Sequence, residues 1–156
     1  MSGDVLYQHN ASTERDVAEH LQCCDASFIP RLSARTDLPD YARKIASKAE
    51  RFEAWSADRL VGLVAAYCND MRERTAYITS VSVLEEWTGR GIARRLVDDC
   101  VDHARGMGMT RIALEVSSDN LSAIRLYEGR GFSMDHTSML SKTMTRALTT
   151  TDGANE

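Results

Sequence analysis

Two short stretches of this chain combine residue types and spacings that can do chemistry. The first is Glu85-Glu86-Trp87-Thr88-Gly89-Arg90-Gly91-Ile92-Ala93-Arg94-Arg95, which joins a β-branched run directly to a helical pattern. Its glycines let backbone come close to a ligand, and a helix start presents unpaired N–H groups to an anion. It is not a dinucleotide fingerprint, because Arg94 stands where the third glycine belongs, and no Gly-Lys-Ser/Thr follows to make a P-loop. Charge order adds a second argument. Arg90, Arg94 and Arg95 crowd the positive end of the helix dipole, where each cation is disfavoured by about 0.3–1 kcal/mol. Asp98 and Asp99 come four residues after Arg94 and Arg95, the weaker orientation for helical ion pairs. A bound polyanion reverses the penalty, so the turn reads as an anion site ahead of a plain helix start.

The second stretch runs from Leu114-Glu115-Val116 to Asn120-Leu121-Ser122-Ala123-Ile124-Arg125-Leu126-Tyr127. Strand alternation turns Glu115 to the face opposite Leu114 and Val116. Asn120 ends the strand and can cap a helix, and Tyr127 lies two turns along it on the Asn120/Ala123/Tyr127 stripe. On periodicity alone Tyr127 is a packing residue and Glu115 a solvated strand carboxylate.

The elements around these stretches follow from hydrophobic period. Residues 5–8 read as an opening strand. Ser12 or Thr13 caps a helix carrying Val17, Leu21 and Cys24, and Thr36 or Asp37 caps a second with Pro39 in its first turn. Between them Phe28-Ile29-Pro30-Arg31-Leu32 has no period and reads as a loop. Strands are expected at 51–57, 60–68 and 75–83, antiparallel because their connections are short. A helix follows at 91–105 with Ile92, Leu96, Val97, Cys100, Val101 and Ala104 inward. Then come a strand at 111–116, a helix at 120–128, and strands at 132–134 and 138–145. Residues 147–156 carry no apolar period and read as a frayed tail, leaving one domain over residues 1–146.

Taken together, the two stretches resemble the GCN5-related N-acetyltransferase (GNAT) family. Thr88, Gly91 and Ala93 are similar to its motif A, although Arg or Gln is usual where Thr88 stands. Asn120, Ala123, Leu126, Tyr127, Gly131 and Phe132 resemble the motif B region, and the likeness spans residues 51–144. The resemblance implies an α/β (α+β) GNAT fold: a mixed, mostly antiparallel sheet of six to seven strands, splayed between the fourth and fifth and flanked by four helices. It implies acetyl-CoA as co-substrate in the splay. Val81, Ser82 and Val83 would run beside the pantetheine, and Thr88, Gly89, Arg90, Gly91, Ile92, Ala93 and Arg94 would surround the phosphates, with Arg95 close by. Asn120 and Ala123 would stand on the pantetheine side, with Tyr127 beside the sulfur.

An alkyl amine attacking a thioester must first lose a proton, and the leaving thiolate must gain one. Tyr127 is the expected general acid. The 78–82 stretch holds no carboxylate, so the base is Glu115 or a water relayed through Thr79 or Ser80. Phe28, Pro30, Arg31, Tyr41, Trp55, Tyr67 and Tyr77 are the acceptor-side candidates. A small-molecule amine is the expected acceptor; an acyl-CoA sensor without transfer and a protein N-acetyltransferase are the alternatives.

Composition narrows the partners. With 19 Lys+Arg against 23 Asp+Glu the chain carries −4, which argues against nucleic acid. The longest apolar run, residues 60–68, is short of the roughly 20 a membrane span needs. Four cysteines without CxxC spacing fit a reducing, cytoplasmic setting. His9, His20, His103 and His136 show no ligand spacing, so no metal is expected. Strand edges at 138–145 offer a homodimer contact.

Overall fold

Thr13 opens the first helix through a reciprocal box, its hydroxyl accepting from Asp16 N while the Asp16 carboxylate accepts from Thr13 N. The computed structural model describes residues 4–138 and 141–148. In chain order the elements are β1 (Leu6–His9), α1 (Glu14–Cys24), α2 (Leu38–Lys48), β2 (Glu50–Ser56), β3 (Arg59–Tyr67) and β4 (Thr75–Val83). They continue with α3 (Ile92–Gly106), β5 (Arg111–Ser117), α4 (Leu121–Gly129), β6 (Ser133–Thr137) and β7 (Ser141–Ala147). Asp37 caps α2 and Asn120 caps α4 through their side chains.

The strands form one sheet in the order β1-β2-β3-β4-β5-β7-β6. Every pairing is antiparallel except β4 with β5. β3 is buried on both faces from Leu60 to Ala66, which is why its sequence reads as a continuous apolar run. Val61 and Val64 face a core shared with α3 and α4, while Leu60, Leu63 and Ala65 face a second core with α1 and α2.

The parallel pairing runs only from Thr75↔Arg111 to Ile78↔Leu114, after which the strands part. One residue later β4 bulges: its register against β3 jumps from Ala66↔Ile78 to Ala65↔Ser80, leaving Thr79 without a partner. A bulge bends a strand and sharpens its twist, so the backbone of β4 itself turns away from β5. Tyr41 of α2 secures the bend, donating to Thr79 O at 2.6 Å with its oxygen 2.7 Å from Thr79 Oγ1.

The expected splayed sheet with four α-helices is present. Three details differ from the sequence reading. The opening strand starts one residue later than read. β7 lies between β5 and β6, so the free edge is the wholly exposed β6 and not residues 138–145. The sheet also runs further than read: Ala147 pairs with Arg111 and Leu148 is buried in the core, so neither belongs to the tail. The rest of that tail, 149–156, lies outside the described residues. Among the described residues no helix is long and apolar enough to cross a membrane.

Gly62 on β3 sets how closely α3 can seat. A Cβ there would lie 2.7 Å from Ile92 Cγ2 and 3.3 Å from both Ala54 Cβ and Leu96 Cδ1. None of these can swing away, since all three residues are buried. Gly62→Ala is therefore expected to lift the first turn of α3 and destabilise the fold by about 1–3 kcal/mol. Urea unfolding with unchanged m-value reads this directly, and wild-type stability in the variant would show that the helix is not seated on this glycine.

Candidate active site

Two cavities meet where β4 and β5 part. The first, of about 420 Å³, is bordered by Val81, Ser82 and Val83 of β4, by the turn from Trp87 to Gly89, and by Gly91 to Arg94 at the start of α3. Asn120, Ala123, Leu126 and Tyr127 supply the opposite wall. Gly89 and Gly91 hold φ of +81° and +79°, the left-handed region that favours glycine. Gly91 caps α3 without any side-chain acceptor. The helical ladder begins only with Arg95 N to Gly91 O at 3.1 Å, so the N–H groups of Ile92, Ala93 and Arg94 precede it.

The three arginines separate. Arg94 borders the cavity. Arg90 stacks over Trp87 at 4.4 Å, and Arg95 covers Tyr7 at 4.1 Å while pairing with Asp99 at 3.1 Å. Asp98 is taken by Arg130 at 2.8 Å. The cationic face at the helix start is thus narrower than the sequence suggests. Thr88 borders the cavity with its hydroxyl already donating to Glu85 O at 2.7 Å. Cys24, Ser27 and Phe28 border it too. Cys24 was hidden because it lies on the apolar stripe of α1, where a thiol reads as core.

The second cavity, of about 490 Å³, lies on the other side of the same wall. Phe28, Val81, Asn120 and Tyr127 border both cavities. Around the second stand Ile29, Pro30, Arg35, Thr79, Ser80, Glu115 and Asp119. Glu115 is exposed, and its Oε2 accepts from Ser141 Oγ at 2.8 Å. The buried Ser80 Oγ has no hydrogen-bond partner, whereas Thr79 Oγ1 is held by Tyr41. Of the other acceptor-side candidates Tyr41 acts from behind the wall, through Thr79. Arg31 sits 3.9 Å from Asp25, Trp55 donates to Glu53, and Tyr67 and Tyr77 border a separate surface depression.

Burial favours the uncharged forms of Tyr127, Cys24 and His20. It pushes the Tyr127 phenol well above its usual range, and no group among the described residues bonds the hydroxyl. It pushes the Cys24 thiol up to about 12. His20, absent from the sequence reading of the site, lies buried on α1, and burial lowers it to about 4 against the pull of its hydrogen bonds. Its Nδ1–H donates to Leu60 O at 2.9 Å, which fixes the tautomer, so Nε2 accepts from Ser82 Oγ at 2.8 Å. Its signal in the sequence was its place one turn from Val17 and Cys24.

A bulged, splayed parallel pair with a glycine-capped helix at its mouth defines an α/β protein whose cleft opens onto the free N–H groups of a helix start. The chain belongs to the acetyltransferase (GNAT) family, whose model matches residues 15–132. That match takes in α1 and α2, where the sequence showed only an order of elements. The chain is 33% identical over 106 residues to N-acetyltransferase 8B of Homo sapiens, covering 65% of this chain and 47% of that protein. It is 34% identical over 83 residues to N-alpha-acetyltransferase 30 of Schizosaccharomyces pombe, covering 52% and 55%. The chain spans about half the length of these curated relatives. Among solved structures, PH1933 from Pyrococcus horikoshii OT3 superposes with a TM-score of 0.75 at 21% identity, covering 94% of this chain and 99% of that one. A Bacillus subtilis acetyltransferase in complex with CoA superposes with a TM-score of 0.72 at 17% identity, covering 94% and 100%.

The histidine carries a pH signature. Unfolded chains take up its proton below about pH 6.5, but the native protein does so only near 4. Its contribution is complete above pH 6.5 and falls by about 3 kcal/mol as pH drops from 6.5 to 4. His20→Gln is expected to flatten that part of the stability curve. An unchanged slope, measured by urea unfolding at stepped pH, would mean that His20 is not held neutral.

Proposed function

We propose that the chain is an acetyl-CoA-dependent N-acetyltransferase that moves an acetyl group to a primary amine of a small molecule by direct attack. One observation carries this reading: Tyr127 stands on the wall between the two cavities, together with Asn120, Val81 and Phe28. A thioester lying in the first cavity presents its carbonyl at that wall, and an amine in the second reaches it. Acetyl-CoA itself suits the first cavity's chemistry. The N–H groups at the start of α3 and the Arg94 guanidinium hold its pyrophosphate, and the unpaired edge of β4 bonds its pantetheine amides.

In the second cavity Glu115 and Asp119 attract an ammonium group. Glu115 takes one proton from it, and the freed nitrogen lone pair attacks the acetyl carbon. The oxyanion receives a hydrogen bond from a β4 N–H that faces the gap between Val81 and Val83. Collapse breaks the carbon–sulfur bond, the departing thiolate takes the Tyr127 proton, and the nitrogen gives up its second proton to solvent, which also reprotonates Tyr127 and removes the proton held by Glu115. Net, amine and acetyl-CoA become N-acetylamine and free CoA thiol.

The test is thermal unfolding with acetyl-CoA, followed by thiol release across a panel of small amines. At 100 times its Kd acetyl-CoA is expected to add about 2.7 kcal/mol of stability, and one amine class to release thiol. Stabilisation with no release from any amine would overturn the small-molecule reading. Tyr127→Phe is expected to lower kcat about 10²–10⁴-fold with the Kd for acetyl-CoA unchanged, because it removes a proton and little volume. Glu115→Gln is expected to slow turnover similarly, and Ser80→Ala to leave it near wild type. The opposite pattern would move the base from Glu115 to a water held by Ser80.

A further inference from the structure

At the C-terminal end of α3, away from both cavities, three side chains from three elements converge. His9 ends β1, Glu50 begins β2, and His103 lies in the last turn of α3. His9 Nε2 is 2.8 Å from Glu50 Oε1, and His103 Nε2 is 3.4 Å from the same oxygen. All three donor atoms lie within 4.8 Å of one another. His103 Nε2 is buried yet has no hydrogen-bond partner, since its approach to Glu50 lacks hydrogen-bond geometry. The other two are already oriented: Asn10 Nδ2 donates to Glu50 Oε1 at 3.0 Å, and the His9 ring stacks on Phe52 with centroids 4.8 Å apart. His103 meets both rings edge-on.

We propose that His9, Glu50 and His103 form a binding site for a divalent transition metal of the zinc class. Two imidazole nitrogens and one carboxylate oxygen are a donor set this class accepts, with water completing the fourth position. Metal–ligand bonds of about 2.0–2.1 Å place donors about 3.3 Å apart in a tetrahedron. The separations of the two histidine nitrogens from Glu50 Oε1, 2.8 and 3.4 Å, bracket that spacing. Asn10 then supports the carboxylate from outside the coordination sphere, the place where partners tune affinity. Magnesium and calcium, which prefer all-oxygen sites, are disfavoured.

The site is structural in consequence. His103 stands twelve positions beyond Gly91, about 18 Å along the axis, and none of the three residues borders either cavity. It joins β1 and β2 to α3, residues far apart in sequence and adjacent only in the fold.

The experiment strips the protein with a chelator, then follows thermal unfolding with added Zn²⁺, Co²⁺ or Mg²⁺. One zinc per chain and a raised Tm are expected, with no effect of Mg²⁺, and Co²⁺ is expected to give a visible absorption band of low-symmetry coordination. His103→Gln and His9→Gln are expected to remove the zinc-dependent rise and weaken zinc affinity by at least the 10–100-fold, roughly, that loss of a mere supporting partner brings. Both should keep the wild-type response to acetyl-CoA, which also shows that they fold. Cys23→Ser, at the exposed thiol, should leave zinc binding intact. No Tm rise and no Co²⁺ band in the wild type, or equal zinc binding in both histidine variants, would overturn the proposal.

Discussion

The parting of β4 from β5 is the constraint on which the cleft depends. Beyond Ile78 and Leu114 each strand has one side of its backbone without a ladder partner, and such groups must find hydrogen bonds elsewhere. The opening is not left to side-chain bulk. The Thr79 bulge bends β4 at the last paired residue, and α2 holds that bend through Tyr41. On the other face of the sheet, Gly62 lets α3 descend until its first turn stands at the mouth of the gap. One backbone irregularity and one missing side chain therefore set the cleft's geometry before any ligand arrives.

Burial then decides the electrostatics, and it favours the neutral form of every group it acts on here. Tyr127 and Cys24 keep their protons and His20 stays without a second one. Charge is admitted to the interior where it is fully bonded. Glu53, wholly buried, accepts from Ala11 N, Ser12 N and Trp55 Nε1, with Arg51 Nε 3.6 Å away. A buried ion pair is a poor source of stability because desolvation opposes it, so these surrounding bonds are what make it tolerable. Their effect is to tie the β1–α1 junction to β2.

Period and capping chemistry made most of the frame legible. The bounds of β4 and the six inward positions of α3 follow from apolar patterning, and Asp37 and Asn120 cap the helices their side chains suggest. Of the residues in the two motif stretches, Thr88, Gly89, Gly91 to Arg94, Asn120, Ala123, Leu126 and Tyr127 border the cleft, while Arg90 does not. What escaped was made by tertiary contact. Nothing local distinguishes Thr79 from its β-branched neighbours or marks Gly62 as a seat for Ile92. The order β5-β7-β6 depends on which strand reaches β5, a choice residues 132–147 do not advertise. Arg90 and Arg95 look like Arg94 along the chain, and only packing against Trp87 and Tyr7 separates them. His9, Glu50 and His103 carry no spacing signal at all.

The two cavities draw on different stretches of chain, and this has a consequence for how the molecule can diverge. The first is built chiefly by 81–94 and 120–127, while the second owes Ile29, Pro30 and Arg35 to the segment joining α1 and α2. That segment makes little regular structure, two short 3₁₀ turns at Asp25–Ser27 and Leu32–Ala34, so it can change sequence without breaking a helix or a strand. Ser27 and Phe28 are the exceptions, since Ser27 borders the first cavity and Phe28 borders both. Descendants of this chain are free to acquire a different taste in the second cavity by drift in a dozen residues, while the machinery of the first passes on unaltered.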